Sequence, residues 1–319
     1  MKRLPLTRRQ ILSGLSASLL LPVGLRVPGA TANPDSVFQH GVASGDPDHS
    51  SVVLWTRLTT TASVAECEWE IAENPTFDHT LQRGRSATGQ QRDHTVKVVV
   101  DGLRPGATYY YRFRAGAQTS PVGRTRTLPN GALDYLGLAV ASCSNFPFGY
   151  FNAYEAIARD ESVEFVLHLG DYLYEYGPDG YGGGIGAQLG RQHNPPREMV
   201  SLADCRLRHA QYKADAQSRE MHAAHPLIPL WDDHESTNNP WQEGAENHQP
   251  ATEGSWRTRR SASLQAWYEW MPVREPGRGE DPAAYWRHFR FGDLASLVTL
   301  ETRHTGRAQQ IDYDIPALL

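Results

Sequence analysis

The chain has 319 residues, with 31 lysines and arginines against 36 aspartates and glutamates, and a formal net charge of −5. This balance excludes a strongly basic nucleic-acid-binding protein. With 39% hydrophobic and 21% charged residues the composition is typical of a globular chain, and three cysteines, an odd number, argue against a disulfide framework.

Residues 1–32 are predicted to be an export signal that takes no part in the fold. A basic start ends in Arg8 and Arg9, an apolar stretch follows from Ile11, and residues 30–32 are small, as at a cleavage site. The arginine pair resembles a twin-arginine signal, which implies the twin-arginine translocase as a partner and a periplasmic or secreted location. An ordinary secretory signal is the alternative. Beyond this leader, no segment is long and apolar enough to predict a membrane span.

Residues 36–130 predict a small β-sandwich of the fibronectin III or immunoglobulin kind. Runs of β-branched and aromatic residues at 52–58, 67–72, 95–100 and 109–113 are separated by turn signals. This fold class carries no chemistry by itself, so the segment is predicted to be a supporting module. A module that binds carbohydrate or another partner is the alternative.

From residue 134 the pattern changes to short apolar strands that alternate with helices, which predicts an α/β domain over residues 134–319. The predicted strands lie at 135–142, 163–170, 227–231, 285–291 and 294–300, and the predicted helices at 151–159, 202–221 and 255–270.

Three of these predicted strands end in polar sequences. Cys143 follows the first strand, Asp171 and Tyr174 follow the second, and Asp233 and His234 follow the third. Because ligands gather outside the carboxyl ends of strands in α/β sheets, these side chains are expected to converge on a metal site. An oxygen-rich donor set with a single thiolate favours trivalent iron or calcium over structural zinc.

The same strand ends carry a family resemblance. Ala-Ser-Cys-Ser-Asn at 141–145, His-Leu-Gly-Asp-Tyr-Leu-Tyr-Glu at 168–175 and Trp-Asp-Asp-His-Glu at 231–235 resemble the PhoD-type alkaline phosphatase/phosphodiesterase family. Residues 38–47 and 53–57 resemble the first domain of that family, which is a branch of the calcineurin-like metallophosphoesterases. The resemblance implies an α-β-β-α sandwich for the second domain. It also implies an exported enzyme that hydrolyses phosphate esters by a metal-activated hydroxide.

The resemblance implies a role for each polar residue. Cys143 and Tyr174 would bind Fe³⁺ as thiolate and phenolate, Asp171 would bridge the iron and a calcium ion, and Asp233 would help to bind the second metal. His234 would be the catalytic residue that stabilises or protonates the leaving oxygen. Each residue also has a purely structural alternative: a buried small residue, an aromatic support, a loop cap or a structural histidine.

The resemblance further implies that the catalytic domain is incomplete. A domain of this type has a second sheet with further aspartate and histidine ligands, yet the sequence contains no Gly-Asp-x-His or Gly-His-x-His motif. We therefore expect a fragment or frameshift product, a short form completed by another chain, or an inactive paralogue, each with an apolar sheet face exposed. From another functional class, the competing hypothesis is an extracellular β-sandwich binding protein, which would have no reason to copurify with iron.

Overall fold

The computed structural model describes residues 36–311, and the predicted export signal at residues 1–32 lies outside them. Residues 42–126 contain strands without α-helices, and strands and helices are interspersed from residue 138 onward, as the sequence predicts. Within the described residues the strands are β1 (Val42–Gly45), β2 (Val52–Arg57), β3 (Val64–Ala72), β4 (Thr80–Gly89), β5 (Thr95–Val100), β6 (Thr108–Ala115), β7 (Gln118–Thr119), β8 (Gly123–Arg126), β9 (Leu138–Ala141), β10 (Phe165–His168), β11 (Leu227–Pro229), β12 (Pro240–Trp241), β13 (Gly244–Ala245), β14 (Arg287–Phe291) and β15 (Ala295–Thr299). Over the same range the α-helices are α1 (Asn152–Arg159), α2 (Gly183–Leu189), α3 (Leu202–Ala214), α4 (Ala216–Ala224), α5 (Pro250–Glu253) and α6 (Trp256–Trp270).

The N-terminal strands form the predicted β-sandwich. One sheet has the order β4-β3-β6-β7, with β8 also paired to β6, and the other contains β5, β2 and β1. Side chains alternate between buried and partly exposed along β6, so that Tyr109, Tyr111 and Phe113 point into the core. They meet Leu54 of the opposite sheet and Cys67, which is buried as the sequence predicts. Burial of this shared apolar face holds the two sheets together.

The second sheet of the sandwich continues into the α/β region. Strand β1 pairs in parallel with β11 through Gly45 and Leu227, and the resulting six-stranded sheet has the order β5-β2-β1-β11-β10-β9. The approach is close, because a Cβ at Gly45 would lie 2.4 Å from the carbonyl oxygen of Leu227. The predicted fold class is therefore confirmed, with one sheet common to both regions. The predicted domain boundary near residue 130 remains a prediction.

Helices cover one face of the parallel strands. Tyr212 of α3, Met221 of α4 and Trp267 of α6 pack with Val166 of β10 in one buried cluster. The single helix predicted over residues 202–221 is wrong, because Asp215 ends α3 and its side chain accepts the first N–H groups of α4. Among the described residues, no helix has both the length and the apolar character to cross a membrane.

The opposite face of the parallel strands is only partly covered. Phe289 and Phe291 of the hairpin β14–β15 pack against β10 and β11. At the sheet edge, Leu138 and Val140 of β9 remain 37% and 59% exposed. Their register with β10 sets them on the same face as the covered residues, so the described residues leave part of the apolar face open, as the sequence predicts.

Candidate metal centre and active site

The loops that follow β9, β10 and β11 meet at one edge of the sheet, because these strands are parallel neighbours. The backbone N–H of Cys143 donates to the carbonyl of Gly170 at 3.2 Å, and the N–H of Ser144 donates to the carbonyl of Asp171 at 2.9 Å. Cys143 and Asp171 both have a positive φ, of 57° and 52°. Non-glycine residues rarely adopt this conformation, and it is concentrated at functional sites.

Gly170 brings the second loop against the third. Its φ is +104°, and a Cβ there would lie 2.3 Å from the backbone nitrogen of Asp232, so only glycine fits. On the other side of this contact, buried Glu235 accepts the N–H groups of Tyr172 at 2.7 Å and of Asp232 at 2.8 Å. Burial, and then the charge of Asp171, raise the pKa of Glu235 to about 8.

These contacts create an acidic cluster of Asp171, Asp233 and His234. One candidate ligand atom from each residue lies within 4.8 Å of the others. The buried Oδ1 atom of Asp171 has no hydrogen-bond partner in the described part of the chain. A buried carboxylate oxygen without a partner is costly, and a cation is the group that would satisfy it.

Cys143 and Tyr174 lie on the second oxygen of the same carboxylate. The Tyr174 hydroxyl donates to Asp171 Oδ2 at 3.0 Å, and the Cys143 thiol lies 3.5 Å from that atom. The exposure of Cys143 excludes its structural alternative as a buried small residue. A thiol and a phenol thus contact one oxygen of Asp171, while the other oxygen has no partner among the described residues, an arrangement that fits a carboxylate shared between two cations.

Neighbouring charges shift the pKa values of the cluster residues in opposite directions. Burial and repulsion from Asp233 raise the pKa of Asp171, against the effect of His234. The pKa of Asp233 is lowered, although burial opposes its ionisation. The lowering comes from the charge of His234, the hydrogen bond from the N–H of Asn239 and the charge of Arg303. Burial, and then Asp171, raise the pKa of Tyr174, so its phenol stays protonated and donates to the carboxylate. A cation in the cluster would replace that proton.

His234 is held by two neighbours. Its Nδ1 lies 2.7 Å from Oε2 of the fully buried Glu175, and the ring of Tyr174 stacks on the imidazole at a centroid distance of 4.2 Å. Although burial favours the neutral ring, the hydrogen bond to Glu175 and the charges of Asp233 and Asp171 raise the pKa of His234 to about 9. Because Nδ1 is engaged, Nε2 is the nitrogen available to a ligand.

Sequence reasoning missed several residues that complete this site. Glu175 orients His234, Glu235 joins two loops, and Arg303 donates from Nε to Asp232 Oδ1 at 2.5 Å. Asn145 is buried, and neither polar atom of its side chain has a partner among the described residues. Asn145 and both glutamates stand inside the motifs noted from the sequence, whereas no local signal connects Arg303 with a loop about seventy residues earlier.

Known proteins share both regions of the chain. The family model described as PhoD-like phosphatase matches residues 138–317, and the model of the PhoD-like phosphatase N-terminal domain matches residues 25–129. Alkaline phosphatase D of Bacillus subtilis (strain 168) is 40% identical over 307 residues, which cover 92% of this chain and 52% of that protein. A solved structure of PhoD superposes with a TM-score of 0.77 at 38% identity, covering 88% of this chain and 55% of that one. The resemblance seen in the sequence is confirmed, and the chain spans about half the length of these relatives.

Proposed function

Because the chain belongs to the PhoD-like phosphatase family, we propose that it acts as an exported, metal-dependent phosphatase or phosphodiesterase that hydrolyses phosphate esters. One observation carries this proposal. Loops from three adjacent strands bring a thiol, a phenol, a second carboxylate and an imidazole close to the Asp171 carboxylate. The buried Oδ1 of that carboxylate has no partner in the described residues. A β-sandwich binding protein would have no use for this cluster.

We propose Fe³⁺ and Ca²⁺ as the metals. Cys143, Tyr174 and Asp171 would hold the iron, and Asp171 and Asp233 would hold the calcium. The donor set supports this choice, since carboxylate and phenolate oxygens prefer hard cations and one thiolate accompanies them. When bound, such cations supply Lewis-acid stabilisation of the phosphoryl oxygens and an acidified water.

We assign His234 to the leaving oxygen of the ester. Glu175 engages Nδ1 at 2.7 Å, and Tyr174 stacks on the ring, so the imidazole is fixed with Nε2 free. From Nε2 the side chain can donate a hydrogen bond or a proton to an alkoxide as the P–O bond breaks. Glu175 is a positioning residue in this scheme, because it acts only through His234.

The substitution Asp171→Asn tests the proposed metal centre. It preserves the shape of the side chain but removes the charge shared by two cations, so iron and calcium should be lost together. Metal content by mass spectrometry and calcium titration by calorimetry measure this loss. Asp179→Asn is the matched control, because it removes the same charge from an exposed position eight residues along the same loop. If the Asp171 variant retained both metals at the original stoichiometry, the bridging role would be wrong.

Activity has its own test. The metal-loaded chain is assayed with 4-nitrophenyl phosphate and with bis(4-nitrophenyl) phosphate, which separates monoesterase from diesterase action. Turnover of either substrate that disappears in Asp171→Asn supports the proposed function. Absence of turnover, with both metals bound, would favour the alternative that this chain is an inactive fragment or paralogue.

We also propose that the twin-arginine translocase exports the chain to the periplasm or beyond. The Arg8-Arg9 pair ahead of an apolar stretch supports this route. Replacing both arginines with lysine should leave the precursor in the cytoplasm, and Arg3→Lys in the same leader is the control. Undiminished export of the double variant, measured by cell fractionation, would instead indicate the general secretory route.

A further inference from the structure

An exposed pair of aromatic rings adjoins the candidate active site. Phe148 and Tyr181 are 42% and 59% exposed, and their ring centroids lie 4.8 Å apart. Tyr181 in turn lies 6.3 Å from Tyr174, which stacks on His234 at 4.2 Å. An unbroken series of rings therefore runs from the imidazole of the site to a solvent-exposed surface. We call Phe148 and Tyr181 the ring platform.

A glycine-rich segment, residues 177–186, carries Tyr181 of the platform and packs against Phe148. Gly182 has a φ of +89°, and a Cβ there would lie 2.7 Å from the ring of Phe148. At Gly180 a Cβ would lie 2.9 Å from the Cδ1 ring atom of Tyr176, whose ring centroid is 6.1 Å from that of Tyr181. The backbone thus packs directly on these rings, and the glycines are required for this contact.

Arg191 anchors the short segment that carries Phe148. Its guanidinium lies 3.6 Å from the centroid of Phe146, and its Nε donates to the carbonyl of Phe146 at 3.0 Å. The same guanidinium pairs with Asp215 at 3.1 Å. Phe148 therefore projects from a short segment that is anchored two residues earlier, and a ligand would meet a surface that is already organised. Such preorganisation lowers the entropic cost of binding.

The chemistry of this surface points to one kind of occupant. A single exposed apolar side chain is common on protein surfaces and needs no explanation. Two rings in contact, linked through Tyr174 to the imidazole of His234, instead offer a surface on which another ring can stack. Because His234 is assigned to the leaving oxygen, the group attached to that oxygen extends from the start of the ring series. The planes of Tyr181 and Phe148 are inclined at 52°, so a planar ring in that group would stack on one of them and meet the other at an angle. A short polyol or alkyl group would gain little there.

We propose that Phe148 and Tyr181 form a subsite for a planar ring in the alcohol part of the phosphate ester, so that aryl or nucleoside esters are bound in preference to alkyl esters. This inference deepens the proposed function and rests on it. The two sources of the ring, an aryl group and a nucleobase, share the same stacking chemistry and are separated by experiment.

The test measures binding of unreactive analogues to the metal-loaded chain by calorimetry. Phenylphosphonate and cyclohexylphosphonate have similar size and charge but differ in planarity, an adenosine phosphonate supplies the nucleobase, and methylphosphonate reports on the phosphoryl site alone. We expect the phenyl compound, the adenosine compound or both to bind about tenfold more tightly than the cyclohexyl compound. The compound that shows the preference identifies the source of the ring.

Substitutions locate the preference on the platform. Tyr181→Ala should abolish it, Tyr181→Phe should retain it, and Phe148→Leu should weaken it, all with methylphosphonate binding unchanged. The matched control is Tyr135→Ala, which removes another exposed tyrosine, 55% exposed, that precedes β9 and so lies at the opposite end of the strand from Cys143.

Equal binding of all the larger phosphonates to the native chain, or a preference that survives Tyr181→Ala and Phe148→Leu, would overturn the subsite and leave the proposed function intact. Failure of every phosphonate, methylphosphonate included, to bind the metal-loaded chain would overturn the proposed function and the subsite with it.

Discussion

Gly170→Ala should separate the two loops that hold the acidic cluster. The new Cβ would lie 2.3 Å from the nitrogen and 2.6 Å from the Cβ of Asp232, at a φ of +104°. Backbone strain of about 1–3 kcal/mol and an overpacking cost of about 1–3 kcal/mol combine to about 4 kcal/mol of lost stability. At Gly190 φ is +66° and a Cβ would meet open space, so Gly190→Ala should cost only about 1 kcal/mol.

The measurement is urea unfolding of the metal-free chain, followed by tryptophan fluorescence. For an m-value of about 2–3 kcal/mol/M, a loss of about 4 kcal/mol lowers the midpoint by about 1–2 M. Calcium affinity should fall in parallel for Gly170→Ala but not for Gly190→Ala, because the first substitution displaces Asp171 from Asp233. Equal midpoints for the two variants would refute the close approach. A lowered midpoint with unchanged calcium affinity would show that this contact does not position the cluster.

Three further substitutions separate the roles of the site residues. Tyr174→Phe should bleach the visible absorption band of the iron-loaded chain and leave calcium bound, and a persistent band would remove Tyr174 from the iron site. His234→Ala should lower the turnover of alkyl phosphate esters by about 10²–10⁴-fold with metal content unchanged, and nitrophenyl esters should lose less. Parallel loss of metal and of both activities would make His234 a ligand. Glu175→Gln should reproduce part of the His234→Ala effect on alkyl esters, and unchanged kinetics would contradict its positioning role.

The strands that could be predicted are those marked by runs of β-branched, aromatic or other apolar residues. The prediction at residues 95–100 coincides with β5, and 109–113 lies within β6, where side chains alternate between core and surface. Strand β4 was not predicted, because eight of its ten residues remain at least partly exposed and no apolar alternation marks them. Strand β1 was also missed, because its four small or β-branched residues are all buried and show no alternation. Its place in the sheet follows only from its pairing with β2 and β11.

The candidate site was predictable as far as it follows from strand ends. Cys143, Asp171 and Asp233 stand just after apolar runs, and parallel strands bring such positions together. The structure adds what sequence order does not contain: which carboxylates serve as hydrogen-bond acceptors for loops and which one has a free oxygen. Glu235 and Asp171 are both buried acids, yet Glu235 accepts two backbone N–H groups while Asp171 Oδ1 accepts none within the described residues.

The three cysteines offer a test of the metal centre that does not depend on turnover. Cys143 is exposed, whereas Cys67 and Cys205 are buried, and burial raises the pKa of each buried thiol to about 12. Since the thiolate is the reactive form and must be reached by the reagent, iodoacetamide should alkylate Cys143 alone in the folded chain.

Iron should protect Cys143 from alkylation, because coordination to the cation withdraws electron density from the sulfur and lowers its nucleophilicity, whereas calcium alone should not protect it. Intact mass spectrometry should therefore find one added group without iron and none with iron bound, and none in Cys143→Ser under either condition. Alkylation of Cys67 or Cys205 before unfolding would contradict their burial. Equal labelling of Cys143 with and without bound iron would place the thiol outside the iron site and leave the proposed ion held by Asp171 and Tyr174 without its sulfur ligand.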